Sequence, residues 1–255
     1  MQIVQTAERI TETSLENNVI YQRHLVAYLE AEKRIGGDVL EVGSGDGYGL
    51  RMLFDKADSY TAIDKFPTNL DGIEPGKVKF VQSNIPPLPF PDNSFDWVVT
   101  FQVIEHIEND VDFTKEIARV LKPGGQLIMT TPNRTMSLTR NPFHVREYTA
   151  PELHKLVAKY FSETAVHGVF GNEKVMDYYY ANKKGVERIT RWDIFKLQYR
   201  LPRPLLQVPY DFFNWVNRKR LLKENSGLVT GIKAADHFVA PSNGSEFDLF
   251  VLAKK

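Results

Sequence analysis

Two histidines stand where a folded chain could place a proton acceptor beside a bound substrate. His106 follows an apolar run that ends at Phe101, and His144 lies in the sequence NPFHVREY, which spans residues 141–148. Imidazole titrates near neutral pH, so either ring could take a proton from a hydroxyl group. A structural role is the alternative for both: His106 at the start of a helix, and His144 bonded to its own loop or to Glu147.

A glycine-rich turn carries the next group of chemically informative residues. The sequence VLEVGSGDGYG, residues 39–49, places glycines directly after an apolar run and before a helical one. Glycine accepts positive φ angles and lets a ligand approach the backbone closely. In dinucleotide enzymes the spacing G-x-G-x-x-G receives a pyrophosphate, which a carboxylate at Glu41 would repel. Glu41 suits instead a cationic ligand with an amine and a sulfonium; a simple strand-to-helix turn is the alternative.

A second carboxylate, Asp64, ends the next apolar run in the sequence TAID. A carboxylate at the end of this strand can accept hydrogen bonds from both hydroxyls of a ribose, whichever nucleoside carries it. An ordinary surface aspartate at a strand end is the alternative. Taken with Glu41, Asp64 predicts a site for a positively charged nucleoside.

These residues need a scaffold, and the chain supplies short apolar runs that alternate with helical periods. The pattern predicts an α/β fold with a doubly wound, mostly parallel sheet of seven strands. Such sheets bind ligands at the carboxyl ends of their strands, where the glycines, Asp64 and both histidines fall. The predicted strands are 38–42, 59–64, 78–84, 95–101, 125–131, 163–170 and 247–253, and the predicted helices between them are 48–56, 111–121 and 150–160.

The length of 255 residues fits one such domain with additions. We predict a single domain over 1–255, with an N-terminal helical cap in 1–36 and a helical lid or insertion in 171–246, before the last strand. Between 174 and 223 the insertion holds twelve Lys or Arg against four Asp or Glu, interleaved with aromatic residues. Three roles are open: a lid over a substrate pocket, which we favour, a surface that rests on anionic lipid, or a nucleic-acid site.

Composition excludes several classes of function. Acidic and basic residues balance, 32 against 32, so no overall field attracts nucleic acid and we expect no specific nucleic-acid partner. The absence of Cys excludes disulfides, thiolate zinc sites and cysteine nucleophiles. No run of about 18 apolar residues occurs and the first residues lack a signal-peptide core. We therefore expect a cytoplasmic protein, with peripheral membrane contact through 174–223 as an open alternative.

From about Asp38 to Phe161 the chain resembles the class I S-adenosylmethionine-dependent methyltransferases. The likeness rests on four segments in order: VLEVGSGDGYG, TAID, IPPLPFPDNSFDWVVTFQVIEHIEND and ARVLKPGGQLIMTTPN. It points to the branch that methylates small molecules, which includes quinone O-methyltransferases and methyltransferases of sugar and glycan assembly. The resemblance implies in-line methyl transfer to a small-molecule, glycan or lipid-linked acceptor, with His106 or His144 as the catalytic base.

The resemblance also implies how S-adenosyl-L-methionine is held. Its contacts would lie at the ends of the first four strands. They are Glu41, Gly43 and Gly45 for the methionine end, Asp64 for the ribose, Asn84 and Ile85 for the adenine, and Phe101 and Gln102 for the amino group.

Two departures from the family pattern change what we expect. Asn84 replaces the usual Asp, and its amide oxygen can still accept from the adenine amino group. Gln102 replaces the first acid of a Glu-x-x-Glu-His run that accompanies a divalent metal in the quinone enzymes, and an amide binds Mg²⁺ less well, so we predict no metal. Two other hypotheses stay open: a cofactor-binding module without catalysis, and a nicotinamide-dependent oxidoreductase on the same topology.

Overall fold

The computed structural model describes residues 14–255, which form one eight-stranded sheet with helices on both faces. Of the predicted cap in 1–36, residues 1–13 lie outside the described residues. The strands are β1 Asp38–Val42, β2 Ser59–Asp64, β3 Val78–Gln82, β4 Phe95–Phe101, β5 Leu121–Pro132, β6 Glu163–Gly171, β7 His237–Pro241 and β8 Asp248–Lys254. The helices are α1 Asn18–Glu32, α2 Leu50–Leu53, α3 Asp110–Val120, α4 Ala150–Val157, α5 Glu173–Thr190, α6 Leu197–Arg200, α7 Arg203–Glu224 and α8 Ser226–Gly231.

The strand order is β3-β2-β1-β4-β5-β8-β6-β7. The first five strands in that order pair in parallel, β8 runs antiparallel to both of its neighbours, and β7 is antiparallel to β6. This confirms the predicted doubly wound, mostly parallel α/β fold. The predicted count of seven strands was one too low, because β7 is short and exposes Phe238 and Pro241, so it lacks the continuous apolar run of a buried strand.

Alternate residues of the central strands supply two separate cores. From β1, Leu40 and Val42 pack with α3 and α4 on one face, while Val39 packs with α1 and α2 on the other. The helix side chains on the first face include Phe113 and Leu153, both without solvent exposure. Burial of the sheet on both sides explains why its strands are almost continuously apolar in the sequence.

Local sequence signals fix where the helices of the first core begin. The side chain of Asn109 accepts from the Asp112 backbone N at the start of α3. Thr149 and Glu152 form a capping box at the start of α4. The predicted helix 48–56 is shorter in the structure, because α2 begins only at Leu50, after the last glycine of the turn, and passes into a 3₁₀ turn over Phe54–Lys56.

The insertion is helical from α5 to α8 and shares a third apolar cluster with α1. Val19 of α1 packs there with Tyr178 of α5 and Leu221 of α7. Helix α7 begins after Pro202 and continues through Pro209. Within residues 14–255, no helix combines the length and apolarity needed to cross a bilayer.

Helix α1 also packs directly on the glycine-rich turn. A Cβ added to Gly49 would lie 2.0 Å from ring carbons of Tyr28, and that ring makes an edge contact with Phe101 at 4.6 Å between centroids. Gly49 therefore permits the helix to rest against the turn.

We expect Gly49→Ala to lower the free energy of unfolding by about 1–3 kcal/mol, because the new methyl group must displace the Tyr28 ring and with it α1. Urea unfolding followed by circular dichroism measures the change. Gly36→Ala is the matched control, since a Cβ there meets nothing within 4 Å. Equal stability of the two variants would show that α1 does not depend on this contact.

Candidate active site at the carboxyl edge of the sheet

The turn after β1 adopts a backbone that only glycines accept easily. Gly43, Gly45 and Gly47 have φ angles of +84°, +55° and +82°. A Cβ on Gly43 would lie 2.3 Å from Cγ2 of Val103, whereas a Cβ on Gly45 would meet nothing within 4 Å. Gly43 is thus required by packing, while a side chain at Gly45 would project into open space at the edge of the sheet.

Asp64 fastens this turn to the end of β2. Its Oδ2 accepts from the Gly45 backbone N at 2.9 Å, and its Oδ1 accepts from the Phe66 backbone N at 2.8 Å. Each carboxylate oxygen can accept a second hydrogen bond, so these contacts are compatible with the predicted binding of ribose hydroxyls.

Glu41 lies beneath the turn with 1% of its surface exposed. Its Oε1 accepts from the Tyr28 hydroxyl at 3.0 Å and its Oε2 from the Tyr60 hydroxyl at 2.9 Å. Burial raises the pKa of Glu41 to about 7; the two tyrosine hydrogen bonds oppose this rise, and the charge of Asp64 adds to it. Glu41 is therefore a buried acid that a nearby positive charge would ionise.

The remaining residues of the predicted cofactor site end neighbouring strands. Asn84 is exposed just after β3, and Ile85 packs against the first core. Phe101 ends β4, and Gln102 follows with a φ of +56°, its backbone N donating to Thr130 O at 2.9 Å. Because β3, β2, β1 and β4 are adjacent and parallel, all eight predicted residues come to one edge of the sheet. Their contacts with a cofactor stay predictions.

A cavity of about 220 Å³ lies at the same edge. Its walls come from α1, α5 and α7, from the stretch between Pro132 and Glu147, and from residues beside β7 and β8. Of the two predicted histidines, His144 belongs to the described residues that line this cavity and His106 does not.

His144 is held by a carboxylate. Its Nδ1 lies 2.6 Å from Glu147 Oε1, and the two side chains are only 10% and 12% exposed. With the proton on Nδ1, this nitrogen donates to Glu147 and leaves Nε2 as an acceptor. Nε2 lies 2.9 Å from Nδ2 of Asn141, whose Oδ1 accepts from the Phe143 backbone N at 3.0 Å and so sets the orientation of the amide. Such a pair of acid and imidazole is the arrangement that general bases use.

Neighbouring contacts fix the stretch that carries this pair. The second oxygen of Glu147 accepts a hydrogen bond from the Ser137 hydroxyl. Further along, Arg146 and the hydroxyl of Tyr148 both donate to the carboxylate of Asp110, at the start of α3. The stretch is therefore joined to α3 beside the pair, and Ser137 fixes Glu147 from within the stretch.

The rings of His106 and His144 are in edge-to-face contact, with their centroids 5.0 Å apart. Nδ1 of His106 lies 3.2 Å from Phe143 O. Glu105 is buried beside them and accepts from the Thr131 hydroxyl at 2.9 Å. One ligand atom from each of Glu105, His106 and His144 lies within 4.8 Å of the others. One carboxylate and two imidazoles suit a divalent transition metal, so the prediction of no metal requires a direct test.

Two cavity residues, His237 and Arg23, lie outside the sequence predictions, as does Asp248, the partner of Arg23. His237 lines the cavity, and burial, with the charge of Arg23, lowers its pKa to about 4, so the ring is neutral. Its Nε2 has no hydrogen-bond partner among the described residues. Arg23 Nε lies 2.8 Å from Oδ2 of buried Asp248. No sequence signal identified them, because Arg23 and Asp248 are far apart in the chain and β7 was not predicted.

Comparison with known proteins agrees with this geometry. Residues 40–129 match the family model described as a methyltransferase domain. A protein of Mycolicibacterium smegmatis named a probable S-adenosylmethionine-dependent methyltransferase is 40% identical over 160 residues, which are 60% of this chain and 62% of that protein. A ubiquinone biosynthesis O-methyltransferase of Rickettsia conorii is 35% identical over 104 residues, 38% of this chain and 36% of that one. The chain thus spans less than two thirds of the length of either relative.

A solved structure extends the likeness to most of the chain. The S-adenosylmethionine-dependent methyltransferase of Mesorhizobium loti superposes with a TM-score of 0.55 over 93% of this chain and 100% of that one, at 12% identity. This similarity shows the fold. The match to the methyltransferase family model and the names of the relatives confirm the predicted family and cofactor. The glycine turn, its two carboxylates and these likenesses agree, and the chain belongs to the class I S-adenosylmethionine-dependent methyltransferases.

Proposed function

We propose that this chain transfers the methyl group of S-adenosylmethionine to a hydroxyl group of a small-molecule or glycan acceptor, with His144 as the general base. The observation that carries the proposal is the His144–Glu147 pair, which lines a cavity at the edge of the sheet that bears the glycine turn. The name of the rickettsial relative, a ubiquinone biosynthesis O-methyltransferase, supports oxygen as the methylated atom.

The chemistry divides between cofactor and protein. Bound S-adenosylmethionine supplies an already activated methyl group, so the protein has to align the acceptor and remove its proton. Nε2 of His144 takes that proton when the acceptor hydroxyl replaces the Asn141 amide group, which donates to the same nitrogen in this structure. The Nδ1–H bond to Glu147 stabilises the resulting imidazolium, and the Ser137 hydroxyl keeps Glu147 in place.

His237 suits a different task in the same cavity. Burial and Arg23 oppose its protonation, which makes it a weak base at neutral pH. Its Nε2 can nevertheless accept a hydrogen bond from a hydroxyl group of the acceptor. We assign His237 to binding and His144 to proton removal.

The cavity wall supports a polar acceptor. Five of its 23 described lining residues are asparagines, whose amide groups can both donate to and accept from hydroxyl groups. Besides Asn141, the asparagines in the cavity wall are Asn133, Asn182, Asn214 and Asn217. This lining favours a hydroxyl-rich molecule over a purely apolar one.

His144→Ala is expected to lower turnover by about 10²–10⁴-fold, because the variant loses the group that accepts the acceptor's proton. A panel of catechols and methyl glycosides, incubated with methyl-labelled S-adenosylmethionine, first identifies a methylated product by mass spectrometry. Turnover of that acceptor is then compared among variants. Glu147→Gln should lose less activity, and exposed His154→Ala none. Affinity for adenosylhomocysteine should stay unchanged in all three.

One result would refute the assignment of His144, and two others would count against methyl transfer by this chain. If His106→Ala abolished turnover while His144→Ala left it intact, the base would be the other histidine. If the protein bound adenosylhomocysteine but methylated no member of the panel, a cofactor-binding module without catalysis would gain support. Saturable binding of NADH in place of adenosylhomocysteine would favour an oxidoreductase.

We expect turnover to survive treatment with EDTA, because Nδ1 of His144 is engaged by Glu147 and Gln102 replaces the acid of the quinone enzymes. Activity is measured after dialysis against the chelator and again after addition of Mn²⁺, Zn²⁺ or Mg²⁺. Loss of activity on dialysis, with recovery on addition of one metal, would instead assign Glu105, His106 and His144 to a metal site.

Affinity for S-adenosylmethionine should rise with pH and level off above about pH 7. Below that pH, Glu41 is protonated and must lose its proton before it can attract the cation; above it, the carboxylate is already formed. If binding lowers the pKa of Glu41 by one unit, the affinity changes about tenfold across this range. Calorimetry from pH 5.5 to 8.5 measures it. Glu41→Gln should flatten the profile and exposed Glu163→Gln should not; a flat wild-type profile would contradict the coupling.

A further inference from the structure

Between residues 205 and 218, helix α7 has polar side chains toward the cavity and exposed apolar side chains on its outer side. The inward residues that line the cavity are Tyr210, Asn214, Asn217 and Arg218. On the outward face, Val208, Phe212 and Trp215 are 77%, 58% and 50% exposed. A surface helix of a globular protein ordinarily has the opposite arrangement, with its apolar stripe toward the core.

The outward residues form one continuous stripe. Leu205, Val208, Phe212 and Trp215 are separated by three or four positions, the spacing that places side chains side by side on a helix. The segment before α7 adds exposed Trp192, in the turn after α5. We call the exposed residues of 191–223 the outer surface.

Exposed apolar residues are concentrated on the outer surface. Of the seventeen large hydrophobic side chains exposed in residues 14–255, eleven lie between 192 and 216. They are Trp192, Ile194, Phe195, Leu197, Tyr199, Leu205, Val208, Phe212, Phe213, Trp215 and Val216. A monomer in water rarely keeps so many together, so the outer surface calls for a partner.

The charges of the same segment limit what that partner can be. Residues 191–223 contain eight Lys or Arg and two Asp, although the whole chain is neutral. Two of these cations lie over exposed tryptophans: Lys219 Nζ is 4.4 Å from the ring centre of Trp215, and Arg191 Cζ is 5.1 Å from that of Trp192. Basic groups around aromatic anchors are the pattern of a protein that rests in the headgroup region of a membrane.

We propose that the outer surface docks the protein on an anionic lipid membrane. A bilayer with acidic headgroups satisfies both properties of the segment, since its interior accepts the apolar side chains and its surface attracts the cations. A second copy of the chain, joined through the same face, would bring two basic segments together. Nucleic acid would match the charges but leave most of the aliphatic side chains in water.

Because α7 lines the cavity with one face and carries the outer surface on the other, a docked membrane would lie close to the cavity. A helix with its side chains is about 10 Å across, so a membrane against the outer face lies roughly that distance from the cavity wall. The inference concerns where the protein binds and stands whether or not His144 is the base.

Vesicle flotation tests the proposal on the full chain. Vesicles of phosphatidylcholine with phosphatidylglycerol are compared with vesicles of phosphatidylcholine alone, and the wild type should float only with the first. Val208→Ser/Phe212→Ser/Trp215→Ser should reduce binding about tenfold or more, because it removes three apolar anchors. Arg191→Gln/Lys196→Gln/Lys219→Gln should reduce it about a hundredfold.

The matched control replaces three exposed apolar residues elsewhere, Leu15→Ser/Val111→Ser/Phe238→Ser, and should float like the wild type. Circular dichroism and adenosylhomocysteine binding verify folding; if the apolar variant fails to fold, the charge variant decides. The proposal would be overturned if the wild type did not float with anionic vesicles, or if the apolar and charge variants floated as the wild type does. The proposal would also be overturned if the wild type bound no vesicles but formed a dimer in sedimentation velocity, or bound RNA, and the apolar variant abolished that association.

Discussion

The hydrogen bond between Asp64 and the Gly45 backbone is the constraint on which the rest of the site depends. It holds a turn of three positive-φ glycines to the end of the neighbouring strand, and the backbone of Gly43 reinforces it by donating to Ile63 O at 2.8 Å. The carboxyl ends of four parallel strands then meet at this turn. A nucleoside cofactor can be bound there because the backbone is already fixed in a shape that leaves Gly45 open.

The acceptor half of the site is built differently. His144 and Glu147 lie on irregular chain after β5, so their geometry depends on ties to the rigid domain, chiefly the contacts of Tyr148 and Arg146 with Asp110. A second contact fixes the cavity wall: Arg23 of α1 pairs with buried Asp248 at the start of β8.

What the sequence could predict follows from how local each interaction is. The turn at 43–47 and Asp64 were predictable, because strand ends and glycine spacing are short-range patterns. His144 and Glu147 are three residues apart, so their contact was open as an alternative, but not its place in a cavity. Arg23 and Asp248 meet only through the tertiary fold, and His237 begins a strand too short and too exposed to recognise. Residues that meet only through the tertiary fold leave no periodic pattern in the sequence from which their contact could be predicted.

The insertion shows why composition alone left three roles open. Its aromatics could line a pocket, cover a core or face outward, and the spacing of α7 is the same in each case. Burial distinguishes the two faces of α7: over 205–218 the face that lines the cavity is polar, and the exposed apolar side chains of that stretch lie on the other side. A polar cavity wall and an unburied apolar stripe are thus two consequences of one helix orientation.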